Sequence, residues 1–215
     1  LLHVEPFTPI IDEDLEPGDI LYIPPGFPHD GFTHETAMNY SVGFRGPNTR
    51  DFISSFADYA LENDLGGDHY SDPDLTLRDH VGKVEEYELE RVRNMMHELI
   101  NQPEEFKQWF GRFATTPRHE LDIAPAEPPF EAHEIVDALM QGDSLTRLSG
   151  LRVLNVGGRF FVNSEALETE NIAAADALCR YTLIGKKELG NALQDPEFIA
   201  VLTELVNQGY WFFDD

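Results

Sequence analysis

Glu16-Pro-Gly-Asp-Ile-Leu-Tyr-Ile-Pro-Pro-Gly-Phe-Pro-His29 is the stretch from which the rest of the chain is read. Pro17-Gly18 turns the backbone into a short apolar run, Ile20 to Ile23, which reads as a buried strand. Pro24-Pro25-Gly26 then makes a stiff bend, and His29 emerges just before the next strand. A rigid Pro/Gly frame around one imidazole fixes the position of the ring, as a metal site requires. The plainer reading, a histidine in a surface turn, fits a lone His less framed than this one. On either side, Phe7–Ile11 and Met38–Phe44 also read as strands. In the latter, Met38, Tyr40, Val42 and Phe44 alternate with Asn39, Ser41 and Gly43, which places the two sets on opposite faces.

From Asn48 the period changes. Phe52, Ile53, Phe56, Ala57, Ala60 and Leu61 recur at helical spacing, behind a capping Asn48 or Thr49 and ahead of Gly66-Gly67. Val92, Met95, Met96, Leu99 and Ile100 mark a second helix that stops before Pro103, and Phe106, Trp109, Phe110 and Phe113 a third. Their aromatic faces are wide enough that one small domain is not expected to cover them, and a dimer is expected. Pro125-Ala-Glu-Pro-Pro129 is the best linker. Beyond it lie a helix around Ala132–Met140 and strands near Ser144–Leu148, Arg152–Val156 and Arg159–Asn163, with Gly157-Gly158 as a tight hairpin turn. Helices follow around Ile172–Tyr181, Lys187–Leu193 and Pro196–Gln208, the last with Asp195 as N-cap, Pro196 at the first helical position and Gly209 as stop. The expected class is α+β, in three parts: a β segment over 1–47, a helical region over 48–124, and a winged-helix-like domain over 125–215.

Forty acidic residues face fifteen Lys plus Arg, for a formal net charge of −25. Such a chain repels phosphate backbones, so direct nucleic-acid binding is disfavoured even for a winged helix; residues 119–215 alone hold seventeen acids against six bases. A basic protein partner is attracted, although plain solubility explains the charge as well. The single cysteine, Cys179, excludes an internal disulfide, fits a reducing compartment such as the cytoplasm, and reads as a small core residue. No apolar run reaches the ~18 residues needed to cross a bilayer, so no membrane partner is expected. The chain opens at Leu1, without a methionine and in strand-like sequence, and is expected to be the later part of a longer one.

The run Pro-Gly-Asp-x-Leu-Tyr-Ile-Pro-Pro-Gly-x-x-His resembles the distal-histidine segment of JmjC-type cupin oxygenases. Asn39-Tyr-Ser-Val-Gly-Phe-Arg45 is similar to the strand after it in the ribosomal oxygenases. Phe106-Lys-Gln-Trp-Phe-Gly111, Arg118-His-Glu-Leu-Asp-Ile-Ala-Pro125 and Gly209-Tyr-Trp-Phe-Phe213 extend the likeness over the whole chain, nearest to bacterial enzymes that hydroxylate an arginine of a large-subunit ribosomal protein. The resemblance implies the C-terminal part of a double-stranded β-helix, a helical dimerisation region and a winged-helix domain. It also implies an Fe(II)- and 2-oxoglutarate-dependent dioxygenase acting on a basic ribosomal protein, most readily at an arginine. Under it, His29 is the distal iron ligand and Asn39 a contact to the cosubstrate, while a hydrogen bond closing the barrel end remains open for Asn39. Asp19 holds a turn position of the motif that a structural hydrogen bond explains adequately.

The family site pairs this histidine with an upstream His-x-Asp, and a basic residue holds 2-oxoglutarate. Neither is present here. His3-Val4-Glu5 formally satisfies His-x-Glu, but about four strands must lie between the pair and the distal histidine, on the order of 40 residues. Only residues 6–28, twenty-three of them, separate Glu5 from His29. The pair is therefore expected in preceding sequence, and this chain alone is expected to be inactive. His34, His69, His80, His97, His119 and His133 lack zinc spacing. Two other readings stand beside the oxygenase: a non-catalytic acidic dimerisation module, and a metal cupin of another reaction type.

Overall fold

The computed structural model describes residues 6–43 and 46–214. It divides into a first unit, Leu1–Gly46, and a second, Pro47–Asp215. The strands expected at Phe7–Ile11, Ile20–Ile23 and Met38–Phe44 do not form among the described residues of the first unit, which are turns and irregular backbone throughout; Phe44 lies outside the described residues. Nor is the Ile20 run buried, since Ile20 is 96% exposed and Tyr22 76%. The reason is physical. A strand exists only through its ladder partners, and no ladder forms among the described residues of this unit.

In the second unit, α1 (Thr49–Glu62) starts where the sequence places it. Asn48 Oδ1 accepts the Arg50 and Asp51 backbone N–H groups, while the Asp51 carboxylate accepts from the Asn48 N–H at 2.8 Å, a complete capping box. Next come α2 (Glu86–Ile100) and α3 (Pro103–Thr115), the latter with Pro103 in its first turn. The wide aromatic faces of α1 and α3 are not left over for a partner. Phe52, Phe56, Phe110 and Phe113 surround Trp109, with Phe113 stacked on it at 5.7 Å and Phe56 edge-on at 5.2 Å. Trp109 Nε1 donates to Ser55 Oγ at 3.1 Å and Tyr59 OH to Glu105 at 2.7 Å, so the polar atoms of the cluster are satisfied. Burial, then the Glu105 hydrogen bond, push the Tyr59 phenol up to about 12. The aromatic parts of these two faces thus cover each other, while Ile53 and Leu61 of α1 stay 65% and 81% exposed. Helix α2 buries no residue, although its Leu99 packs against this cluster.

Beyond the linker run α4 (Ala132–Gln141), β1 (Ser144–Arg147), β2 (Val153–Val156), β3 (Arg159–Val162), β4 (Glu165–Leu167), α5 (Ile172–Arg180), β5 (Leu183–Gly185), α6 (Lys186–Leu189), α7 (Pro196–Asn207) and β6 (Trp211–Phe213). The helix read at Lys187–Leu193 is split, with α6 passing into a 3₁₀ turn over Gly190–Gln194. Two antiparallel sheets form, in orders β5-β1-β6 and β2-β3-β4. The hairpin turn stands as read, with Gly157 at φ +61° and Gly158 at +91°. Asp195 caps α7 through the Glu197 and Phe198 N–H groups. Ile135, Leu139, Leu145, Leu178, Ile184, Phe198, Leu202 and Trp211, all fully buried, make the core between helices and the first sheet.

The second sheet meets α3. Gly111 lies against the fully buried Phe161 of β3, and a Cβ at Gly111 would sit 2.2 Å from the ring. One turn on, Thr115 Oγ1 donates to the Gly111 carbonyl at 2.7 Å and accepts the Ser164 N–H at 3.0 Å, tying α3 to the turn between β3 and β4. Gly111→Ala gains about 1 kcal/mol of helix propensity but overpacks a site with no slack, at a cost of ~1–3 kcal/mol or more. The cost wins, because the obstructing atoms are a buried ring that cannot swing out. The substitution is expected to lower the melting temperature, read by circular dichroism; a rise would show that Phe161 turns aside freely.

Candidate functional site

Two glycine-dependent turns frame the histidine. At the first, Asp19 N–H donates to the Glu16 carbonyl at 3.0 Å and the Asp19 carboxylate accepts the Glu16 N–H at 2.9 Å, with Gly18 at φ +102°. Asp19 thus has the structural hydrogen bond expected of it. At the second, Phe27 N–H donates to the Pro24 carbonyl at 3.3 Å, with Pro25 and Gly26 between them and Gly26 at φ +83°. Proline followed by glycine at positive φ is the signature of a type II turn. Any Cβ at position 26 is strained by that φ.

This second turn aims the Phe27 carbonyl at His29, whose Nδ1 lies 3.3 Å from that oxygen. A carbonyl can only accept, so Nδ1 carries the proton in this contact. In a neutral ring with this contact Nε2 keeps its lone pair, and the residue is exposed. Metal-binding histidines are oriented in this way, the far nitrogen donating to a carbonyl and fixing the tautomer. Asn39 is exposed and forms no side-chain hydrogen bond among the described residues, so the barrel-closing bond considered for it is not made there. His29 and Asn39 are not joined by any contact described. His3, Glu5 and Arg45 lie outside the described residues.

Among the described residues no three His, Cys, Asp or Glu side chains converge to hold a metal ion. The donor set present is one imidazole, which does not make an iron site by itself. Cys179, partly buried against the core, has its thiol pushed up to about 11 by burial, which disfavours the thiolate.

One constellation was missed from the sequence. Arg78 forks onto Glu88 at 2.6 and 2.8 Å and donates to the Lys83 carbonyl, while Arg91 reaches Asp72 at 2.7 Å and the Ser71 carbonyl at 3.0 Å. These arginines clasp the acidic loop before α2 onto that helix. Glu88 is held below the usual carboxylate range by Arg78 and by the Glu85 N–H that it caps. The signal was available, since two arginines recur inside an acidic stretch, but their partners lie up to twenty residues away.

Residues 93–212, more than half of the chain, match the family described as ROXA-like winged helix, and residues 1–52 match the JmjC domain. The chain belongs to the ROXA-like winged-helix family, here joined to a JmjC segment. The winged-helix match takes in α3, which the structure packs on β2-β3-β4. The chain is 58% identical to the ribosomal protein uL16 3-hydroxylase of Escherichia coli, over 100% of this chain and 57% of that protein. It is 25% identical to a probable ribosomal oxygenase of Haemophilus influenzae, over 87% of this chain and 50% of that one. Among solved structures, the Escherichia coli ribosomal oxygenase YcfD matches with a TM-score of 0.93 at 58% identity, covering 100% of this chain and 59% of that one. YcfD in complex with cobalt and 2-oxoglutarate matches with a TM-score of 0.92 at 58% identity, over 100% of this chain and 60% of that one. The chain thus spans little more than half the length of the relatives it matches.

Since one outward imidazole is a weak ligand for a divalent ion, this chain by itself is expected to retain no stoichiometric Fe(II) or Co(II) after dialysis. Metal analysis of the dialysed protein checks it, and one equivalent retained would mean that further ligands converge on His29.

Proposed function

We propose that this chain forms the later part of a JmjC oxygenase that uses Fe(II) and 2-oxoglutarate to hydroxylate a ribosomal protein, at an arginine side chain, in the cytoplasm. The observation that carries the reading is the framed His29, whose Nδ1 lies 3.3 Å from the Phe27 carbonyl, a contact that favours the tautomer offering Nε2 to a metal. The 58% identity to a uL16 3-hydroxylase supports the reaction class and the substrate. In this proposal His29 is one protein ligand of the iron and Asn39 contacts 2-oxoglutarate; when bound, the iron supplies oxygen activation coupled to decarboxylation of 2-oxoglutarate. The division into a JmjC segment over 1–47, a helical region over 48–124 and a winged helix over 125–215 belongs to the same proposal. No helix among the described residues is long and apolar enough to cross a membrane.

His29→Ala in the complete protein tests the reading. Loss of a partner of a metal ligand already costs 10–100-fold, so loss of the ligand itself is expected to lower succinate release by more than about a hundredfold. Wild-type turnover in His29→Ala would remove both the ligand assignment and the function. The acidic surface is assigned to capture of a basic substrate, and binding is expected to weaken steeply from low to physiological salt. A flat salt response in a titration would sink that role.

The helical region serves, in this proposal, as a homodimer interface. The specific observation is α2: Leu89, Val92, Met96 and Ile100 follow at spacings of three and four along one face, and all are 44–65% exposed. That spacing is the seam of a helix that packs against another. Val92→Glu together with Met96→Glu is expected to move the mass by light scattering from twice 24.4 kDa to 24.4 kDa, with the thermal melt of the winged helix unchanged. A wild-type chain of 24.4 kDa at every concentration would exclude the dimer.

A further inference from the structure

A groove of about 340 Å³ runs between α4 and α7, on the winged helix and away from the residues considered so far. Its floor is apolar: Ala132, Val136, Pro196, Ile199 and Ala200, half-buried or exposed. At the small end of the ~300–1,000 Å³ of ligand sites, it has room for a pair of large side chains and no more. No Lys or Arg lines it. The two helices carry Glu134, Asp137, Glu197 and Glu204 as their only charged residues at neutral pH, with the titratable His133 beside Asp137 on the rim.

Part of that acidity has a structural duty. Glu134 accepts the Glu131 N–H at 2.8 Å, and Glu204 accepts from Gln208. Asp137 and Glu197 do not: both are exposed, and neither is held in an ion pair or side-chain hydrogen bond among the described residues. An apolar trough with the uncompensated Asp137 in its lining, and Glu197 next in sequence to the lining Pro196, selects its occupant by charge. A nucleic acid is repelled. A second copy seated on the same groove of its partner would bring the Asp137 carboxylates of the two protomers toward each other.

We infer that the α4/α7 groove is a docking site for a basic protein segment, with Asp137 and Glu197 pairing to Lys or Arg that flank an aliphatic or aromatic anchor seated between Val136 and Ile199. The occupant is a partner chain read by helix-in-groove recognition, with anchors at helical spacing. The inference does not rest on the chemistry at His29, and it stands or falls without it.

The test uses the whole chain and a designed fluorescein-labelled helical peptide of about 16 residues, with Leu at i and i+4 and Lys or Arg around them. Two control peptides exchange the bases for Glu or the leucines for Ser. The basic peptide is expected to shift the amide resonances of Ala132, Val136 and Ala200, and both controls to bind at least about tenfold more weakly. Asp137→Lys with Glu197→Lys is expected to cost the same factor, and Ala200→Trp, which fills the trough from an exposed position, to block binding with the charges intact. Should the lysine pair fail to fold by circular dichroism, the isosteric Asp137→Asn with Glu197→Gln replaces it, with a several-fold loss expected. Equal binding of the Glu peptide, wild-type affinity in the charge variants or in Ala200→Trp, or shifts confined to other residues would overturn the proposal. So would concentration-dependent shifts at the groove without peptide, which would make it a self-interface, or the same shifts caused by a single-stranded oligonucleotide.

Discussion

Helix α3 has to satisfy two surfaces at once, and most of the second unit is arranged around the way it does so. On one side Trp109 enters a cluster of phenylalanines from α1. On the other, Gly111 brings the backbone so close to Phe161 that no side chain fits between them. Burying aromatic area drives both contacts, but the glycine sets the distance. With a Cβ at 111, β3 would have to stand off, and the Thr115 hydroxyl would no longer meet the Ser164 N–H. The helical region and the winged helix are therefore coupled through one helix instead of meeting across a linker. Pro125–Pro129 is a linker by composition only, for Ala126 N–H donates to the Asn207 carbonyl and Gly209 is packed against Ala124.

How much of this the sequence shows depends on whether the signal is local. Caps and tight turns are, because the residue that makes the hydrogen bond sits two or three positions from the group it satisfies. Asn48, Asp195, Pro196 and Gly157-Gly158 all stand where they were read. Strands β4, β5 and β6 escaped, being three residues each, and β5 and β6 are also defined by partners far along the chain: Leu145 pairs with both Ile184 and Phe213. Partnering is also what failed for the aromatic faces of α1 and α3. Helical periodicity shows that a face is apolar, and it is silent on which helix covers it. The first unit gives the same lesson in reverse, since its alternating residues have no ladder among the described residues and remain exposed.

At the histidine the sequence supplied the frame and the structure supplied the reason for it. Pro and Gly fix turns, and turns fix where carbonyls point. Nothing in the residue types says that the Phe27 carbonyl faces Nδ1, because any residue at 27 offers the same oxygen. The tautomer is thus written in backbone geometry, which a side-chain reading cannot reach. The same limit applied to the clasp on α2, where Arg78 and Arg91 find carboxylates and carbonyls across a loop.

The charge of −25 looks different once its components are placed. Some acids serve the fold: Asp51, Glu88, Glu134, Glu188 and Asp195 each accept backbone N–H groups at or beside a helix start, where the helix dipole favours a negative charge. The bases are committed even more thoroughly. Arg147 donates to the Leu178 and Cys179 carbonyls and Arg152 to the Ala114 carbonyl, at the ends of α5 and α3, where a cation complements the opposite pole. Arg78, Arg91, Arg93, Lys83, Lys107 and Arg159 are all in ion pairs. Eight of the fifteen cations are thus matched to carboxylates or carbonyls, and each ion pair uses one acid as well as one base. The surface therefore keeps the negative sign that the composition states. A field of that sign, interrupted by apolar ground at the α4/α7 groove and along α2, favours approach by a basic partner over an acidic one.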